Sequence, residues 1–195
     1  LKSIKTLPPF PVTIQKVMAL AGDPDSSLTE LAAVIRLDQA ITANILRICN
    51  SAYFGLRRPV DHVNDAIMHM GKQNVLRAVV AAGLSRYFRS TQGYDVKGGD
   101  LWEHAVAVAL LSQICAARIS RPDDPRLFTA GVLHDIGKMV MGEFVHEAWQ
   151  KIQELTERQQ YSFLEAEQEV LGVNHAELGG EIALIWKFPD EILKA

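Results

Sequence analysis

The chain has 195 residues, enough for one large domain or two small ones with a substantial buried core. Hydrophobic residues make up 48% and charged residues 22%, which excludes an intrinsically disordered chain. Twenty basic against 23 acidic residues give a net charge of −3, which argues against broad electrostatic binding of nucleic acid and leaves room only for a local basic patch.

Taken in chain order, helical periodicity dominates. After the stiff entry Leu7-Pro8-Pro9-Phe10-Pro11, the spacing predicts a helix over Val12–Ala21, stopped at Gly22-Asp23-Pro24. Ser27-Leu28-Thr29-Glu30 reads as a capping box for a helix that carries Leu28, Leu31 and Ile35 on one side. Asp38 caps the next, with Ile41, Ile45 and Ile48 as its apolar ridge, ending near Ser51-Ala52. Tyr53-Phe54-Gly55 and Arg57-Arg58-Pro59 form a connector, in which the two aromatics are expected to pack between helices, the alternative being a binding edge with the two arginines. Asp61 caps a helix to Met70, Gly71 interrupts it, and Val75–Phe88 resumes it, with Met68 and Met70 expected in the core.

Residues 90–100, with glycines at 93, 98 and 99, read as the loop between an N-terminal helical bundle, 1–89, and a C-terminal helical half, 101–195. The second half brings a helix over Leu101–Ile119, a turn over Ser120–Pro125 and a helix from Arg126 to about Met141. A further helix spans Val145–Arg158. Ser162-Phe163-Leu164-Glu165 and Asn174-His175-Ala176-Glu177 fit capping boxes, the last helix runs to Phe188, and Pro189 starts a final turn. No alternating strand pattern persists, so the expected fold class is all-α. No apolar run approaches the roughly 18–20 residues that span a bilayer. Cys49 and Cys115 lie in apolar helical context without metal or redox spacing, which predicts two reduced core thiols and a cytoplasmic protein.

One segment is chemically out of place. In Gly131-Val132-Leu133-His134-Asp135-Ile136-Gly137-Lys138 a histidine and a carboxylate stand side by side in an apolar, helix-compatible stretch. Burying either group is costly unless it is paired or metal-bound. His104, in an otherwise apolar helix, and His175, in a first helical turn, stand in helical contexts like that of the central pair. Each alone is an ordinary core or helix-start residue. Brought to one point, His104, His134, Asp135 and His175 would be a competent ligand set for Fe, Mn, Zn or a similar divalent ion. Lys138, four residues after His134, shares its face in a continuous helix and is suited to hold a phosphate oxygen. His62, His69 and His146 have no such support. Arg57, Arg58, Lys72, Arg77, Arg86 and Arg89 give the first half a basic bias, read as a solvated face that an acidic partner or phosphate ligand could use.

His104, then Leu133-His134-Asp135-Ile136-Gly137-Lys138, then His175 with Leu178-Gly179-Gly180 resembles the HD superfamily of metal-dependent phosphohydrolases, including its cyclic-dinucleotide phosphodiesterase branch. The N-terminal half narrows this. Leu7-Pro8-Pro9-Phe10-Pro11, Asp38-Gln39-Ala40-Ile41-Thr42, Asn50-Ser51-Ala52-Tyr53-Phe54-Gly55 and Ala66-Ile67-Met68-His69-Met70-Gly71 together resemble the HDOD domain, the HD-related output domain. The resemblance implies a helical bundle packed on a truncated HD-like half, in a bacterial signalling module that meets a signalling partner or a fused regulatory domain. Metal ligands are implied at His104, His134, Asp135 and His175. The later histidine pair, aspartate and Gly-Tyr-Pro signature of the phosphodiesterase branch have no match, and Asp190 does not sit at the late carboxylate's place, so a mononuclear site is expected. The expected role is a non-catalytic or weakly catalytic relay. The alternative is a metal-dependent phosphohydrolase acting on a nucleotide or cyclic dinucleotide.

Overall fold

Helices alone account for the regular structure: in the computed structural model no strand occurs among the described residues, which are 10–89, 93–94, 98–119, 125–158, 160–188 and 190–193. Leu7-Pro8-Pro9 of the entry motif, most of 90–100, residues 120–124 of the expected turn and Pro189 lie outside them. The chain divides into two compact units, Phe10–Leu84 and a second that begins at Ser85.

The first unit holds α1 (Val12–Gly22), α2 (Leu28–Ile35), α3 (Gln39–Cys49) and most of α4 (Val63–Arg89). Ser27 and Glu30 form the expected reciprocal capping box, and the Asp38 carboxylate accepts from the Ile41 amide. Ile14 and Val17 of α1, Leu31 and Ile35 of α2, and Ile41 and Ile45 of α3 are buried. The α3 ridge continues through Cys49, fully buried, rather than Ile48, because a period of four suits 41, 45 and 49. Gly71 breaks the helical path of α4 with φ 76° and ψ 157°, the left-handed side that glycine alone enters freely. Just after this kink, Lys72 donates to the Asp23 carbonyl and to Ser26 Oγ, closing the α1–α2 turn. It is a structural cation, not part of a free basic face. Met70 is buried but Met68 is 63% exposed, against the expectation of a core pair.

The second unit contains the end of α4, then α5 (Gly98–Arg118), α6 (Pro125–Leu133), α7 (Lys138–Arg158), α8 (Phe163–Leu171), α9 (His175–Ile185) and α10 (Asp190–Leu193). Helix α5 starts within the stretch expected as loop, and Cys115 on it is exposed rather than core. The largest departure lies at the centre. No helix runs from Arg126 to Met141. Residues 134–137 form a turn between α6 and α7, held by Ile136 N to Leu133 O at 2.8 Å and Lys138 N to Asp135 O at 3.0 Å. Helix α7 then continues through the break expected before Val145. Two glycines set the neighbours of this turn. A Cβ on Gly131 would meet Ala109 Cα at 2.5 Å, so α5 crosses α6 backbone to backbone there. A Cβ on Gly137 would meet the His175 carbonyl at 1.9 Å, so the start of α9 seats directly on the turn.

That start is pinned by Asn174, whose side chain accepts from the Glu177 amide. Asn174→Ala is expected to lower stability by about 1 kcal/mol, the usual worth of such a cap. A urea midpoint unchanged from the wild type would show that α9 is held by its packing alone.

Candidate metal centre

The turn carries His134 and Asp135 outward from the α6 end, and α5 carries His104 alongside. One nitrogen from each histidine and a carboxylate oxygen of Asp135 all lie within 4.8 Å of one another. The edges of the triangle are 3.2 Å between the two histidine Nε2 atoms, 3.4 Å from His134 Nε2 to Asp135 Oδ2, and 3.6 Å from His104 Nε2 to the same oxygen. A triangle of that size has its centre about 2 Å from each corner, which is the ordinary bond length of a first-row divalent ion to nitrogen or oxygen.

The tautomers favour the same use. His134 Nδ1 lies 2.8 Å from the Gly131 carbonyl, which can only accept, so Nδ1 carries the proton and Nε2 offers its lone pair to the triangle. Two imidazole nitrogens facing at 3.2 Å need a proton or a cation between them. The histidines are partly open to solvent, with side chains 54% and 34% exposed for His104 and His134, whereas the Asp135 side chain is buried at 4%. A ligand can therefore reach the nitrogens while the carboxylate stays fixed.

His175, the fourth expected ligand, stands against the other oxygen: its Nε2 is 3.3 Å from Asp135 Oδ1. It falls outside the three-donor group and faces the opposite side of the Asp135 carboxylate. Behind it lies a residue that the sequence reading missed. Glu167, fully buried on α8, receives His175 Nδ1 at 2.6 Å and the His175 backbone amide at 2.8 Å through one oxygen, Oε2. A signal for it existed. Glu167 and Ala166 share the buried side of α8, where a lone carboxylate has no business unless it is paired. Burial pushes the His175 imidazole down, but its bonds to Asp135 and Glu167 prevail and raise it above the ordinary histidine value.

Lys138, three residues after Asp135 and not on a shared helical face with His134, puts Nζ 2.7 Å from Asp135 Oδ2. Burial pushes the Asp135 carboxyl up, yet the hydrogen bonds from His175 and Lys138 and the nearby positive charge hold it well below the usual carboxylate range. Asp135 is thus ionised and surrounded by cationic or cation-accepting groups. Of the remaining histidines, His62 is exposed and pairs with Asp61 at 3.5 Å, His69 is exposed, and His146 lines a separate cleft with Tyr94 and Trp149.

Comparisons with known proteins give the family and the fold. The HDOD domain profile matches residues 7–195. A protein of Treponema pallidum (strain Nichols), named only "Uncharacterized protein", is 22% identical over 191 residues, 97% of this chain and 37% of that protein. The crystal structure of an HDOD domain protein of unknown function from Geobacter sulfurreducens matches with a TM-score of 0.82 at 25% identity, covering 96% of this chain and 63% of that one. A protein from Shewanella amazonensis SB2B, named as a phosphohydrolase, matches with a TM-score of 0.77 at 25% identity, covering 99% of this chain and 68% of that one. This chain therefore spans 37% of the curated relative's length and 63% of the Geobacter chain.

Proposed function

The chain belongs to the HDOD domain family, and we propose that it is a cytoplasmic regulatory module whose C-terminal half, 101–195, holds a divalent cation and whose N-terminal bundle, 1–89, relays occupancy to a partner protein or fused regulatory domain. The observation that carries this reading is the triangle of His104, His134 and Asp135, with edges of 3.2, 3.4 and 3.6 Å. His134 and His104 would hold the ion by Nε2, Asp135 by Oδ2, and the Glu167–His175 pair would keep Asp135 turned toward it. Iron, manganese and zinc all suit such a nitrogen and oxygen set.

For the relay, the supporting feature is the loop after α3. The Asn50 side chain donates to Val60 O and accepts from Val60 N, both at 2.7 Å, which closes the segment into a fixed shape. Tyr53 on it is 85% exposed, with Phe54 edge-on at 5.0 Å and the side chains of Arg57 and Arg58 in solvent. It does not pack between helices. An ordered, exposed aromatic beside two arginines suits contact with an acidic protein surface.

A second reading has its own support. Lys138 sits beside Asp135, where its ammonium could turn to a phosphoryl oxygen once a cation neutralises the carboxylate. A bound divalent ion would supply Lewis-acid polarisation of that phosphoryl group. Lys138 would then bind a phosphate oxygen of a nucleotide or cyclic dinucleotide while water attacks phosphorus. The P–O ester bond would break and the alcohol leave with a proton from that water, which is phosphohydrolase chemistry.

Elemental analysis of chelator-free protein, with a phosphoester hydrolysis panel run on wild type and Asp135→Ala, tests both. The expected result is about one ion per wild-type chain, most of it lost in Asp135→Ala, and no turnover above background. Wild-type protein without metal would overturn the cation reading. Metal-dependent turnover abolished by the substitution would replace the relay with the hydrolase.

A further inference from the structure

Helices α5, α6, α9 and α10 enclose a groove of about 500 Å³ that opens beside the metal-binding triangle, since His134 lines both. It is lined by Val108, Leu127, Leu133, Ile136, Ile192 and Leu193 and by small residues of α9. Among the described lining residues His134 is the one ionisable side chain, and the hydroxyl of Ser112 is already donated to the Val108 carbonyl at 2.8 Å. A sugar or nucleobase entering this space would surrender its hydrogen bonds to water and find no side-chain replacement among those residues. An alkyl or acyl chain would not. At the His134 end the chemistry reverses: a cation held by the two imidazoles and Asp135 would attract an anion.

Gly180 points the same way. It lies inside α9, where glycine is disfavoured, yet a Cβ there would meet nothing within 4 Å. A Cβ on its neighbour Gly179 would meet Ile136 Cγ2 at 3.4 Å and the Gly137 amide nitrogen at 3.5 Å, which is ordinary packing contact. A side chain would thus touch its neighbours at 179 and reach open space at 180. A larger side chain at 180 would fill the groove without displacing backbone.

We propose that this groove seats the hydrocarbon tail of a single-chain anionic amphiphile, an alkyl phosphate or fatty carboxylate, whose head group meets His134 and the cation site. The head-group half rests on the cation reading above; the tail half stands on the groove alone. The 500 Å³ volume is within the span of small-molecule sites, about 300–1,000 Å³, and fits one chain rather than a bilayer surface.

The test is calorimetric titration with octyl phosphate, below its micellar concentration, and with inorganic phosphate. Wild type, Gly180→Leu and Ala176→Leu are compared, with metal content and thermal unfolding measured on each preparation. The expected result is that octyl phosphate binds wild type at least about tenfold more tightly than phosphate, an advantage that both variants lose while their metal content stays at the wild-type level. Equal affinity for the two ligands, or an octyl advantage that survives in both folded variants, would overturn the proposal. So would a concentration-dependent dimer abolished by Gly180→Leu, which would give the groove to a second copy of the chain. Metal-free wild type that still prefers octyl phosphate would refute the cation reading while upholding the tail site.

Discussion

Gly137→Ala is expected to lower stability by about 3 kcal/mol, at the upper end of ordinary overpacking, and to abolish cation retention in whatever fraction stays folded. The added Cβ would lie 1.9 Å from the His175 carbonyl and 2.8 Å from the Gly179 amide nitrogen. Both are backbone atoms of α9, so no flexible side chain can swing away. Either the turn at 134–137 or the first turns of α9 must move. Moving α9 draws His175 Nε2 from Asp135 Oδ1, and moving the turn opens the triangle itself. Gly180→Ala is the internal control. It sits in the same helix with open space above it, so it should be neutral or more stable by up to about 1 kcal/mol through helix propensity. The measurements are urea midpoints and metal content of the three proteins. A Gly137→Ala midpoint equal to that of Gly180→Ala would show that α9 does not rest on the turn as described.

That contact also explains what the sequence could and could not convey. The helix pattern was legible because amphipathic spacing and caps are local: Ser27, Asp38, Ser162 and Asn174 all cap where their side chains suggested. The His-Asp pair was legible because two polar groups inside an apolar run demand a partner. Its backbone was not. Leu133 to Met141 has helical spacing, and only the approach of α5 at Gly131 and of α9 at Gly137, contacts with residues 22 and 38 positions away, selects a turn there. The same limit hid the division of labour at Asp135. Sequence spacing treats four candidate ligands alike, whereas the fold gives one carboxylate oxygen to His104, His134 and Lys138 and the other to His175. Lys138 was expected on the His134 face of one helix; at the first position of a new one it turns to Asp135 instead.

Glu167→Leu should be the other severe substitution, costing about 3 kcal/mol, the scale set by removing one member of a buried charged pair. Glu167 is fully buried, and its Oε2 takes both the ring and the backbone of His175. Leucine would leave the His175 amide and Nδ1–H facing hydrocarbon with no acceptor. The ring would then be free to turn, and Asp135 would lose the donor that fixes Oδ1. Glu167→Gln separates orientation from charge. Its side-chain oxygen can still accept from His175, so it should recover at least half of the lost stability while failing to stabilise a charged imidazole. Cation affinity supplies the readout that a packing role alone would not move. Because Glu167 touches neither His104 nor His134, a purely structural glutamate would leave the affinity of the folded Gln variant at the wild-type value. A positioning glutamate predicts a drop of about tenfold or more in that affinity, the usual penalty for losing a carboxylate that orients a ligand's support. Metal titration of Glu167→Gln under conditions where it is fully folded decides between them, and an unchanged affinity would confine Glu167 to the core.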